Sequence, residues 1–158
     1  FLNNDNGIFN LFHGSENSVF NKPIVGRGAA FADYDKDGDL DVLITENAGP
    51  VHLWRNDLYN ESSRSKNNFL RVELRGSISN RDGIGSLIEL FAGDKTFSHR
   101  IRTGSSYLSQ SEKVATFGLS DATIIDSLNI HWPSGIIDTF SRLTPNKQLI
   151  ITEGETLQ

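Results

Sequence analysis

An all-β fold is predicted for these 158 residues by three features of the sequence. Apolar residues fall in many short runs of Val, Ile, Leu and Phe. Fourteen Gly, with frequent Asn and Ser, sit between those runs as turn formers. No stretch sustains a helical period. A polar, charged segment at residues 57–68 (DLYNESSRSKNN) lacks apolar periodicity and reads as a linker. It divides the chain into modules over residues 1–66 and 67–158.

The elements follow in order. Residues 1–4 read as a strand end, Asp5-Asn6-Gly7 as a turn and residues 8–12 as the return strand of a hairpin. A polar stretch runs to Pro23. Residues 26–33 (GRGAAFAD) are small and apolar, which suits a strand that other backbone approaches closely. Residues 41–45 (DVLIT) form a short β-branched strand, and 47–50 turn the chain into another at 51–55. In the second module, residues 69–75 (FLRVELR) alternate. Leu70, Val72 and Leu74 lie opposite Phe69, Arg71, Glu73 and Arg75, so one face is expected to be buried. Residues 80–85 (NRDGIG) make a turn, with Asp82 as a turn residue before Gly83. Strands are expected at 87–91, 96–103, 114–119, 124–132, 136–140 and 148–152. Pro133 fixes φ and Gly135 can take a positive φ in the turn that follows Trp132. About seven short strands in about ninety residues point to a β-sandwich or barrel, without choosing between them. Trp54 and Trp132 are expected to be core aromatics.

Charge narrows the function. Lys and Arg total 15 against 20 Asp and Glu, a net charge of −5. Asp33, Asp35, Asp37, Asp39 and Asp41 supply the whole excess, so the rest of the surface is balanced. A balanced remainder argues against nucleic acid, which asks for a basic stripe. No apolar run nears the ~18 residues of a membrane span, so no membrane insertion is expected. Without Cys there are no disulfides, thiolate metal sites or Cys nucleophiles. Met is absent even at position 1, so the chain is expected to be processed or part of something longer. Catalysis is not expected. His13, His52, His99 and His131 belong to no nucleophile elbow, zinc helix or phosphate loop, and nothing brings Asp121 and Asp126 together as a carboxylate pair.

The acidic segment Asp33-Tyr34-Asp35-Lys36-Asp37-Gly38-Asp39-Leu40-Asp41 is the most informative. Five carboxylates this close repel one another without a counterion. Oxygens from alternate positions can fold round a hard cation, and Gly38 permits the sharp turn. Asp39 can add a backbone carbonyl and Asp41 a further carboxylate, which suits Ca²⁺. An EF-hand would need Glu where Ile44 stands, and helices where strands are read, so this is a strand–loop–strand calcium loop. Such a loop ties stability to calcium by mass action and suits a secreted or cell-surface setting. Residues 102–110 (RTGSSYLSQ) read as an ordered loop whose Ser and Gln satisfy nearby backbone groups, with glycan or protein contact at Tyr107 as the alternative. Asn60-Glu61-Ser62 is an N-glycosylation sequon, which makes Asn60 a candidate acceptor.

Two stretches resemble known families. Residues 28–56 resemble an FG-GAP/VCBS repeat, the blade unit of integrin-α-like β-propellers, and residues 1–12 resemble outer strands of a preceding blade. The resemblance implies side-chain ligation of Ca²⁺ by Asp33, Asp35, Asp37 and Asp41, and backbone ligation by Asp39. The second module resembles the ASPIC/UnbV domain through residues 80–85 and 102–110, Phe117-Gly118-Leu119 and Trp132-Pro133-Ser134-Gly135. Together they imply an extracellular structural or adhesive module, a partial propeller blade unit followed by a β-sandwich-like domain. A propeller closes with about four to eight blades, and about one and a half are present here. Missing strands would come from other copies by β-edge pairing, giving a filament, or from the rest of a larger secreted propeller protein. In the second case the chain would be a carbohydrate- or protein-binding module at its C-terminus. A hydrolase is the least favoured reading.

Overall fold

The structure, a computed structural model, describes residues 2–3, 8–11, 18–57 and 67–155. The expected turn at 5–7, His13, Asn60 with its sequon, and most of the linker lie outside the described residues. Regular structure among them is β throughout, except for one 3-10 turn at Val19–Asn21 within the stretch read only as polar.

The N-terminal hairpin is present as β1 (Leu2–Asn3) paired antiparallel with β2 (Phe9–Asn10). Then β3 (Gly26–Ala32), β4 (Asp41–Glu46) and β5 (Val51–Trp54) form an antiparallel meander. Its register sets Ala30, Leu43 and Leu53 on one face, and Phe31, Val42 and Trp54 on the other. Apolar groups occupy both faces, and Phe31, Leu43, Val51 and Leu53 remain exposed.

The second module is built on β6 (Asn68–Arg75), with β9 (Ala115–Ser120) antiparallel on one side and β12 (Lys147–Thr152) parallel on the other. A second sheet has the order β11 (Ile137–Leu143), β10 (Ile125–His131), β7 (Leu87–Ala92), β8 (Lys95–Arg100), all antiparallel. Alternate residues of the two sheets meet in one core. Leu70, Val72, Leu74, Phe117 and Leu119 come from the first sheet, and Ile88, Leu90, Leu128, Ile130 and Phe140 from the second. Each fully buried Leu or Ile contributes about 1.5–3 kcal/mol relative to exposure. Trp132 joins this core, its indole N–H donating to Asp138 at 2.7 Å. Among the described residues no sheet closes into a barrel.

Two local departures lead to the site. The strand expected over 96–103 ends at Arg100. Past it, Ile101 is tied to Gly85 and Ser86 by backbone bonds, and the chain leaves toward the first module. Arg71, placed by alternation on the open face of β6, is only 4% exposed.

Candidate metal centre at the junction of the modules

The acidic loop spans from the end of β3 to the start of β4, which lie side by side. Its own carboxylates fold it. Asp33 is buried and accepts from the backbone N–H of Asp37 through Oδ1 and of Gly38 through Oδ2, both at 3.0 Å. Asp37 Oδ1 accepts from the N–H of Asp39 at 2.9 Å. Asp41, also buried, closes the loop by accepting from Tyr34 at 3.0 Å and Asn56 at 2.8 Å. Lys36 and Gly38 take positive φ, 64° and 98°. Gly38 is required twice over, because a Cβ there would also overlap the Phe69 ring.

The outcome is a cluster in which carboxylate oxygens of Asp33, Asp35 and Asp37 lie within 4.8 Å of one another. The carboxylates of Asp39 and Asp41 are not part of that group. Burial pushes the Asp37 carboxyl above its ordinary range; the neighbouring charges of Asp35, Asp39 and Asp33 add to this, while its bond from Asp39 N–H opposes it. Arg55 lies 3.9 Å from Asp35 but is shared with Asp57 at 2.8 Å.

Arg71 explains its own burial. Its guanidinium pairs with Asp33, whose side chain is fully buried, and with Glu112 at 2.6 Å. Glu112 in turn accepts from the N–H of Asp33 at 3.2 Å. Burial raises the Glu112 carboxyl, against the lowering effect of that N–H and of Arg71. Asp33 and Glu112 thus flank one buried guanidinium, while Asp35 and Asp37 cluster with Asp33, and negative charge remains in excess. That all-oxygen donor set, with excess negative charge, fits a hard divalent cation. Neither Arg71 nor Glu112 was singled out from the sequence, since each sits far along the chain from Asp33 and carries no local pattern.

The stretch 102–110 and the residues after it work at long range as well as locally. Ser106 Oγ accepts from Ala29 N–H at 3.3 Å and Ser111 Oγ from Phe31 N–H at 3.1 Å. The N–H of Glu112 donates to Phe31 O at 3.0 Å. Gly28 lets this segment approach, with Tyr107 O only 2.8 Å from where its Cβ would stand. Gln110 behaves as read, accepting from Gly104 N–H at 2.8 Å. Tyr107 itself is 66% exposed.

Other candidates are held in pairs or hydrogen bonds away from the cluster. His52 pairs with Glu46 at 2.9 Å and His131 with Glu89 at 2.8 Å. Asp82 pairs with Lys113, in the Asn80–Gly83 turn. Asp126 accepts from Gly93 N–H at 2.7 Å. A polar site not read from sequence is Glu153, 3% exposed at the end of β12. The parallel pairing of β12 with β6 carries it beside the 77–79 turn. There it accepts from the N–H groups of Ser77, Ile78 and Ser79 and the hydroxyls of Ser79 and Ser134. Burial would raise this carboxyl, but the donors, Ser134 first and then Ser79 and Ile78, hold it at about 2.

Residues 76–158 match the family described as ASPIC and UnbV. Over 121 residues the chain is 34% identical to cartilage acidic protein 1 of Xenopus tropicalis, covering 73% of this chain and 18% of that protein. The chain therefore spans under a fifth of that relative's length, and the likeness reaches into sequence before Gly76. By the family match over more than half its length, the chain belongs to the ASPIC/UnbV family.

Proposed function

We propose that this chain is a non-catalytic, calcium-stabilised structural or adhesive module of the extracellular space. In this reading residues 28–56 act as an FG-GAP/VCBS-type propeller-blade unit, and the two sheets of residues 67–158 as a β-sandwich-like domain. The observation that carries it is the clustering of Asp33, Asp35 and Asp37 within 4.8 Å, at a loop tied into the second module through Arg71. Ca²⁺ would be held by these three, with the Asp39 carbonyl and Asp41 completing the oxygen set. The ion would neutralise the loop and so stabilise both sides of the junction. Likeness to a protein named for cartilage, a tissue rich in extracellular matrix, supports the location, and Asn60 is proposed as a glycan acceptor. Among the described residues no helix is long and apolar enough to cross a membrane. The test is thermal unfolding in calcium and in chelator: a clear rise in Tm with calcium is expected, and identical curves would defeat the assignment.

Self-association is a second reading, favoured by the meander. Among the described strands β5 pairs only with β4, and it exposes Val51 and Leu53. A strand of another copy would pair there and cover them, building a filament. Light scattering and negative-stain imaging, with and without chelator, test this. Monodisperse monomers in both conditions would exclude it.

A further inference from the structure

A cleft of about 330 Å³ opens at the junction of the modules, beside the acidic loop that supplies Leu40 to it. The first module contributes Phe31 and Leu40; the second contributes His99, Ile101, Arg102 and Thr116. Its charge is unbalanced. Glu112, the one carboxylate in the lining, is consumed by Arg71 and the Asp33 N–H. Lys113 is taken by Asp82. Arg102 has no carboxylate partner among the described residues, and the buried hydroxyl of Thr116 has no hydrogen-bond partner. The floor is apolar, with Phe31 44% and Leu40 38% exposed.

We propose that this cleft binds the carboxylate-bearing ring of a uronic acid residue, with Arg102 gripping the carboxylate and Phe31 and Leu40 lying against the ring's C–H face. A guanidinium matches a carboxylate through two parallel hydrogen bonds. The volume lies at the small end of ligand sites, which run from about 300 to 1,000 Å³, and has room for about one ring. An acidic peptide is disfavoured. Peptides are commonly taken up along a strand edge, and the outer flank of β3 is already engaged by Ser106, Ser111 and Glu112. His99 supports the site without adding charge: burial, and then Arg102, lower its proton affinity, and its ring packs edge-on against Phe117 at 6.3 Å. The lining includes none of Asp33, Asp35 and Asp37, so the inference does not require that cluster to hold an ion.

The test is saturation-transfer NMR and calorimetric titration of the whole chain with methyl glucuronide and methyl galacturonide. Methyl glucoside and N-acetyl-aspartate amide serve as comparisons. Binding of a uronide is expected, weakened at least about tenfold by Arg102→Gln with Tm unchanged. The proposal is overturned by no uronide binding at millimolar ligand, by equal binding of the neutral glucoside, by stronger binding of the aspartate amide, or by full binding in Arg102→Gln.

Discussion

Replacing Arg71 by Met removes the guanidinium while keeping a stem of similar length. Arg71 is 4% exposed, and its partners are a fully buried Asp33 side chain and Glu112, whose side chain is 18% exposed. Breaking a buried pair by removing one partner costs about 3–5 kcal/mol, because the other charge is left uncompensated. Asp33 keeps its bonds from Asp37 and Gly38, and Glu112 keeps some contact with water. The expected loss therefore lies near the lower end, about 3 kcal/mol. For a chain of this size that corresponds to a fall in Tm of roughly 6–12 °C. Urea unfolding should show a lower midpoint with an unchanged slope. The decisive assay is a double-mutant cycle with Glu112→Gln. The pair should be less destabilised than the sum of the singles by more than about 1 kcal/mol, since each removes the same interaction. A loss under about 1 kcal/mol in Arg71→Met, or strict additivity, would refute the view that this ion triad joins the modules.

Three further outcomes follow from the geometry. Asp35→Ala or Asp37→Ala should erase most of the Tm difference between calcium and chelator, as read by calorimetry. Gly38→Ala should cost about 2 kcal/mol or more, since it combines a positive φ of 98° with overlap on Phe69; an unchanged denaturation midpoint would count against the fixed loop. Glu153 is held at about 2, below its ordinary 4.5, so its contribution is complete above pH 4.5 and is lost as pH falls toward 2. Glu153→Gln should lower neutral-pH stability by about 2 kcal/mol and flatten that part of the acid limb; an unaltered acid limb would show that the carboxylate is not held this way.

Strand positions were legible because alternation and turn residues are local. Leu70, Val72 and Leu74 announce a buried face by spacing two apart, and β6 follows that reading within a residue. The acidic loop was legible for the same reason, since all its ligand candidates lie within a single turn of chain. What alternation could not give is the environment of the opposite face. Arg71 occupies a position that looks solvated, and only the arrival of Asp33 and Glu112 makes it buried. Glu153 was hidden likewise: its donors, at 77–79 and 134, come together through a parallel pairing of β6 with β12 that no local pattern encodes. Within 102–110 the local reading holds for Ser109 and Gln110, whereas Ser106, like Ser111 just beyond, serves β3. Side-chain hydroxyls that satisfy distant backbone look the same in sequence as those that satisfy near backbone.

That last contact also gives the first module a direction. The N–H groups of Ala29, Phe31 and Asp33 point away from β4, where a further strand would otherwise dock, and each is taken by a side chain of the second module. A flank satisfied by hydroxyls and a carboxylate offers no row of free donors to template another strand. Any extension of this meander is therefore left to β5, whose exposed Val51 and Leu53 would be covered by an incoming strand. The same side chains hold the end of β3 where Asp33 begins the acidic loop, so loop order and edge closure depend on one set of contacts. A perturbation that loosens the loop should reopen the β3 flank, and one that strips Ser111 or Glu112 from β3 should loosen the loop. The coupling runs both ways because Asp33 belongs to both.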